Sequence, residues 1–187
     1  MADTTNMRIL GIDPGTQITG YGLVEIRNKK PVILYSGVMR PGKFTTHYER
    51  LKYLHERALH IIDEYQPTVM ALEAPFYGKN VQSMLKLGRA QGVIMAAGLY
   101  RSLPIFEYAP LLVKQSITGM GRASKEQVAY FLKQLFNLDE IPKDLDVSDA
   151  IAVAICHFIQ QDKPAQSKEY KNWGDFIKKN SGKVKGR

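Results

Sequence analysis

A chain of 187 residues, 44% of them hydrophobic, is long enough to bury one substantial core, and no interior stretch is polar or Pro/Gly-rich enough to separate two domains. The single cysteine, Cys156, excludes an intramolecular disulfide, and no run approaches the roughly 18 apolar residues of a membrane span. We therefore expect a cytoplasmic protein with a flexible extension over 1–6, one domain over 7–161 and a basic tail over 162–187.

The formal net charge of +8 favours an anionic partner such as nucleic acid. Most of the excess lies in the tail, however. Residues 163–187 hold eight Lys/Arg and two Asp/Glu, whereas residues 1–162 hold 18 against 16. The tail is either an additional contact for DNA or a partner, or a dispensable solvated end. Charge alone therefore says little about DNA binding by the domain.

The first third of the chain predicts an antiparallel meander of three strands. A short apolar run over 7–12 ends at Asp13 and a Pro-Gly turn. Strands over 20–26 and 32–39 follow, separated by turn-prone residues 28–31. Asp13 should therefore stand at the end of a buried strand.

Helices and two further strands complete an α/β pattern. An amphipathic helix over 47–65 precedes an apolar run over 68–72 that delivers Glu73 to a strand's C-terminal end. Next come a helix that Asn80 caps and that reaches about residue 100, and a strand over 104–108. Three helices follow: one over 110–118, one that begins at the capping box of Ser124 and Gln127 and ends at about 136, and one over 147–160. This order indicates a mixed sheet covered by helices.

Small residues, including Gly88 and Gly92, are concentrated in the long helix after Asn80. Each glycine inside a helix costs roughly 1 kcal/mol relative to alanine. Close packing should offset this cost, either against the sheet or against a second subunit. The four histidines predict no metal site: His157 lies in an apolar run and should be packed, and those at 47, 55 and 60 look like surface positions.

Four carboxylates are the candidate catalytic residues. Asp13 and Glu73 each end a buried strand, and ligands collect at the carboxyl ends of strands in open α/β sheets. Asp146 and Asp149 are three residues apart, on one side of a helix N-terminus. Each has an ordinary alternative: a turn residue for Asp13, a solvated strand end for Glu73, and helix caps for the other two.

Converging carboxylates without basic partners would repel one another unless cations bind. Hard oxygen ligands suit Mg²⁺, with Mn²⁺ as a substitute. Two such ions can activate water and stabilise the leaving oxygen in phosphodiester hydrolysis. The four acids together therefore predict a two-metal nuclease site.

With these acids placed, the chain from about residue 7 to 157 resembles the RuvC family of crossover junction endodeoxyribonucleases. The resemblance rests on the segments ILGIDPGTQITGYG, LEAPFYGKN, LKLGRAQGV, FEYAPLLVKQSITGMG and DVSDAIAVAICH, in family order and at family-like distances. It implies a ribonuclease-H-like fold of the retroviral-integrase superfamily, with a five-stranded mixed sheet flanked by helices. It also implies a Mg²⁺-dependent homodimer that cuts four-way (Holliday) junction DNA by paired symmetrical nicks, in recombination and repair, and acts with the RuvA-RuvB branch-migration complex.

The same resemblance assigns roles to individual residues. Asp13, Glu73, Asp146 and Asp149 match the family's metal-binding catalytic acids. Phe76 matches an aromatic that stacks on a base near the junction centre, and Lys114 and Lys125 match lysines that meet DNA phosphate. The alternatives for these three are a core phenylalanine and solvated helix faces. Where many relatives have Glu-Gln-Val, this chain has Glu-Ala-Pro over 73–75, so the loop after Glu73 should be stiffer.

Three other functions compete with this hypothesis. DPGTQITG resembles the phosphate loop of sugar kinases and actin-like ATPases, but no second Asp-x-Gly phosphate loop follows the last helix. A catalytically inactive junction-binding protein would be expected to have lost an acid, and all four are present. A related nuclease acting on another nucleic acid would lack the Phe76, Lys114 and Lys125 set.

Overall fold

The structure, a computed structural model, describes residues 7–75, 80–140 and 144–161. Five strands form one mixed sheet: β1 (Met7–Asp13), β2 (Thr19–Arg27), β3 (Lys30–Met39), β4 (Val69–Glu73) and β5 (Ile105–Tyr108). Their spatial order is β3-β2-β1-β4-β5. The meander β1-β2-β3 is antiparallel, whereas β4 runs parallel to both β1 and β5, which confirms the predicted mixed sheet.

Five α-helices cover the sheet: α1 (His47–Tyr65), α2 (Val81–Tyr100), α3 (Pro110–Thr118), α4 (Lys125–Phe136) and α5 (Leu145–Gln161). The predicted caps are confirmed. The Asn80 side chain accepts a hydrogen bond from the Ser83 amide at 3.1 Å, and Ser124 and Gln127 form a reciprocal capping box. None of the helices in the described ranges combines the length and apolar character that crossing a bilayer requires.

Two boundaries differ from the sequence prediction. The turn between β2 and β3 consists of Asn28 and Lys29 alone, both with positive φ (51° and 62°), as a tight two-residue hairpin requires. Lys30 and Pro31 therefore already belong to β3. The last helix begins at Leu145, so Asp146 lies inside its first turn rather than before it.

Strand periodicity divides the core into two layers. On β1, Ile9 packs with the layer that contains α5, whereas Leu10 and Ile12 pack with the layer that contains α1 and α2. Successive side chains on a strand point to opposite faces, so Gly11 and Asp13 point to the same face as Ile9. Asp13 is thus directed toward α5.

The backbone of helix α5 packs directly against the backbone of β1 and β2, because glycines on these strands face the helix. A Cβ at Gly11 would lie 2.1 Å from the carbonyl oxygen of Ala150, and one at Gly20 would lie 1.9 Å from the carbonyl oxygen of Asp146. Gly20 is also the antiparallel partner of Asp13. Its missing side chain therefore brings the first turn of α5 beside the end of β1.

The substitution Gly20→Ala should lower the free energy of unfolding by about 3 kcal/mol, at the upper end of overpacking effects, because the obstructing atoms are helix backbone. The measurement is the midpoint of urea or thermal unfolding followed by circular dichroism. A variant that unfolds at the wild-type midpoint would show that α5 moves aside without cost.

Candidate metal centre

Two parallel strands place Asp13 and Glu73 at the same edge of the sheet. Residue Ile12 pairs with Leu72, so the next residue of each strand lies at the same level. Val69 and Ala71 pack in the α5 layer, and strand alternation directs Glu73 to that face as well. Both side chains also line one cavity of about 210 Å³. The sequence prediction that each of these acids stands at the end of a strand is confirmed.

Helix α5 adds two more carboxylates. Asp146 and Asp149 are three residues apart in its first turns and therefore share a side of the helix. One carboxylate oxygen each from Asp13, Asp146 and Asp149 lie within 4.8 Å of one another. Glu73 lies beside this group rather than within it. The helix N-terminus favours the negative charge that collects there.

Burial and mutual repulsion oppose ionisation of the two strand-end acids. Burial, then the charges of Glu73 and Asp149, raise the pKa of Asp13 to about 8, although Lys125 acts in the opposite direction. Burial and the charge of Asp149 raise the pKa of Glu73 to about 7, against the effect of Lys125 and Lys114. Near neutral pH, the metal-free centre therefore holds a proton that a cation would displace.

Lys125 supplies positive charge to the same carboxylates. Its Nζ lies 2.5 Å from Asp149 Oδ2 and donates a hydrogen bond of 3.3 Å to Asp146 Oδ1. Burial alone would lower the pKa of Lys125, but the bond with Asp149 and the charges of Asp13 and Asp146 outweigh it and raise the pKa. An ammonium group thus occupies a position between two acids that attract cations.

Of the two remaining predicted site residues, Lys114 is described by the structure and Phe76 is not. Lys114, half-buried on α3, lies close enough to Glu73 for its charge to lower the pKa of that carboxyl. Phe76 lies outside the described residues. Six of the seven predicted site residues are therefore placed, and these six gather at one edge of the sheet.

The donors fit a hard divalent cation. All four acids offer carboxylate oxygens, and three of them converge within the reach of a single ion. Unlike an isolated turn or helix cap, this arrangement concentrates negative charge in a half-buried place. Bound cations would relieve both the repulsion and the cost of burial.

Sequence reasoning missed a buried polar residue near this centre, Gln91. Gln91 is buried, lines the cavity of Asp13 and Glu73, and donates a 2.6 Å hydrogen bond to Glu107. Its position within a helix gave no signal, since only the tertiary contact with β5 reveals it.

The histidines were predicted with mixed success. His157 is packed as expected: it is fully buried, with Tyr108 Oη 2.7 Å from its Nδ1 and Gln161 Nε2 2.8 Å from its Nε2. His60 is exposed, in agreement with the prediction, and His55 is partly exposed. His47 is only half exposed, and its Nε2 is buried, so the prediction of a surface position was wrong for this residue. It stands where α1 meets the loop after β1, a contact that helical periodicity does not reveal.

In EDTA, Asp13→Asn should raise the melting temperature by a few degrees at pH 8 and leave it nearly unchanged at pH 4. Between the unfolded pKa of 3.8 and the folded pKa of about 8, the unfolded chain has lost the Asp13 proton while the folded protein keeps it. Stability therefore falls as pH rises through this interval, and the neutral amide removes that loss. Asp139→Asn, at an exposed acid, is the control. Equal melting curves for Asp13→Asn and wild type at both pH values would contradict the raised pKa.

Comparison with known proteins agrees with this geometry. The family model for crossover junction endodeoxyribonuclease RuvC matches residues 9–157. RuvC of Bacteroides fragilis is 52% identical over 179 residues, covering 95% of this chain and 95% of that protein. RuvC of Halothermothrix orenii is 48% identical over 152 residues, which cover 81% of this chain and 92% of that protein.

A solved structure, Thermus thermophilus RuvC in complex with a Holliday junction substrate, superposes with a TM-score of 0.77 at 30% identity. The match covers 83% of this chain and 94% of that one. The ribonuclease-H-like fold that the sequence predicted is thereby confirmed. From its sequence, its fold and its cluster of acids, this chain belongs to the RuvC family of crossover junction endodeoxyribonucleases.

Proposed function

We propose that this protein is a Mg²⁺-dependent endonuclease that resolves four-way DNA junctions by paired symmetrical nicks, in homologous recombination and DNA repair. The observation that carries the proposal is the convergence of Asp13, Asp146 and Asp149 within 4.8 Å, at one edge of a RuvC-family fold. The Thermus relative was solved with such a junction. The cytoplasm is the natural place for this activity.

The four carboxylates would hold two Mg²⁺ ions, or Mn²⁺ in their place. When bound, such ions supply an activated water and stabilise charge on the leaving oxygen of a phosphodiester. Asp13 and the two α5 acids form the tightest donor group, and Glu73 would complete coordination from the neighbouring strand. Asp13 and Glu73, whose pKa values are raised by burial and by neighbouring acids, would release protons as such ions bound.

The two lysines would serve the DNA. Lys125, which contacts Asp146 and Asp149, would be available to a phosphate oxygen if bound cations balanced the charge of these acids. Lys114, on α3 and close enough to Glu73 to lower its pKa, would do the same. We assign Phe76 to base stacking near the junction centre, on the family resemblance alone.

An inactive junction-binding protein is the remaining alternative. The geometry argues against it, because half-buried acids that repel one another cost stability in the metal-free protein. A protein without catalytic use for cations would have no reason to retain that cost.

We also propose a homodimer formed through α2. A stripe along this helix is exposed in the protomer, with Val81 68% and Leu85 52% accessible. Gly88 and Gly92 continue it at helical spacing, and nothing lies within 4 Å of a Cβ built on either. At Gly98, by contrast, a Cβ would lie 3.0 Å from Met70 Cε on the sheet. Of the three glycines, only Gly98, near the C-terminal end of α2, thus packs within the protomer. This supports a second subunit as the partner of the N-terminal part of the helix.

We further expect a RuvA-RuvB complex as a partner, on the resemblance alone.

Asp13→Asn should bind a synthetic four-way junction with near wild-type affinity but lose cleavage in Mg²⁺ by at least 100-fold, the scale of losing a group that acts in the transition state. The assay follows end-labelled junction strands on denaturing gels, where the wild type should give paired nicks on strands of like polarity. Asp139→Asn should cleave normally. Retained cleavage by Asp13→Asn would remove this acid from the mechanism, and random nicking of duplex DNA would favour a different nuclease.

Leu85→Glu should convert the dimer to a monomer, because it places a charge in the centre of an apolar helix contact. Light scattering coupled to gel filtration measures the mass. The matched control is Leu135→Glu on α4, a leucine that is 53% exposed in the protomer. A wild-type protein that is monomeric at micromolar concentration would contradict the proposed dimer.

A further inference from the structure

A second polar cavity, of about 270 Å³, lies away from the metal centre at the N-terminal ends of α1 and α2. Its lining combines hydroxyl, amide and basic side chains from three segments of the chain: Thr16, Gln17, Thr45, His47, Arg50, Ser83 and Lys86. No acidic side chain belongs to this lining among the described residues. The nearest capping acid, Glu49, is engaged by the amide and hydroxyl of Thr46 at 2.9 and 2.8 Å.

The cavity is positively charged and partly rigid. Arg50 donates from Nε to the carbonyl oxygen of Phe44 at 2.9 Å and from Nη1 to the carbonyl oxygen of Thr16 at 3.4 Å, which fixes its guanidinium. Lys86, on α2, is exposed and makes no ion pair among the described residues. Two helix N-termini add the partial positive charge of their amide groups.

The His47 ring lines this cavity among several positive charges. Its Nε2 is buried and has no hydrogen-bond partner in the described part of the chain. Burial, then repulsion from Arg89, Lys86 and Arg50, lowers the pKa of this imidazole. An anion bound in the cavity would offset the repulsion that these three cations exert on the protonated ring.

This cavity is continuous with the metal centre. A shallow groove lined by residues 14–18, Ser83, Leu87 and Asp146 lies between the two. The groove shares Thr16, Gln17 and Ser83 with the basic cavity and Leu87 with the cavity of Asp13 and Glu73. A strand of DNA with one phosphate at the metals would therefore pass along the groove toward the basic cavity.

We propose that the cavity of His47, Arg50 and Lys86 binds a second, uncleaved backbone phosphate of the DNA strand held at the metal centre. This inference rests on the proposed function. A phosphate group suits the lining because its several oxygens accept from donors that converge from different directions. The bound phosphate would fix the position of the strand relative to the four acids.

The primary test compares Lys86→Gln with Lys52→Gln in binding a four-way junction without Mg²⁺, over a range of salt concentrations. Lys52 is exposed on α1 and lies 3.8 Å from Glu56, so its substitution removes the same charge outside the cavity. Lys86→Gln should weaken binding about tenfold and reduce the slope of log K against log salt by about one, as loss of one phosphate contact requires. Lys52→Gln should do neither, and equal affinities for the two variants would overturn the proposal.

A scan with single methylphosphonates locates the contact. One neutralised phosphate, on the cleaved strand and away from the cut, should weaken binding by wild type but add nothing in Lys86→Gln. His47→Gln, which keeps a polar side chain, should weaken binding at that same phosphate. If no position shows this pattern, the assignment to DNA is wrong.

Inorganic phosphate distinguishes a free ligand from the DNA backbone. The His47 ring signals are followed by NMR while phosphate is added. If phosphate shifts these signals but Lys86→Gln binds the junction as tightly as wild type, the cavity serves a free phosphate and the DNA proposal fails. Cleavage of the junction by wild type in Mg²⁺ tests the proposed function separately, so failure of one does not imply failure of the other.

Discussion

The close approach of α5 to the sheet is the constraint on which the centre depends. Two of the acids lie on this helix and two on strands, so their distance is set by how near the helix backbone comes to β1 and β2. Gly11 and Gly20 remove the atoms that would keep it away. With a side chain at Gly20, Asp146 would be displaced from Asp13 and the three-acid group would open.

The charges of these packed side chains then determine how strongly the centre favours a bound cation. Burial raises the pKa of Asp13 and Glu73, and Lys125 compensates only part of the negative charge. The centre is therefore costly while it holds no cation, and binding a divalent ion recovers that cost. In the proposed function, the lysine that contacts Asp146 and Asp149 would also be available to a DNA phosphate when a cation is bound to these acids.

The proposed path of the DNA depends on which segments of the chain lie next to this sheet edge. The loop after β1 carries both Asp13 and the residues 14–18 that line the groove. The N-terminal ends of α1 and α2 lie at the end of the groove away from the metal centre, where Arg50 and Lys86 supply positive charge. Although most of the net positive charge lies in the tail, Arg50 and Lys86 place two positive charges of the described domain in the basic cavity.

The sequence by itself determined the order of strands and helices, the caps at Asn80 and Ser124, and the positions of Asp13 and Glu73 at strand ends, because periodicity and capping are local properties of the chain. It left the partner of α2 open and missed Gln91 and the cavity around His47. Tertiary structure alone brought Asp13, Asp146 and Asp149 within 4.8 Å, and it directed His47 inward rather than to the surface. The physical reason is that both outcomes depend on contacts between residues far apart in sequence, which local patterns do not encode.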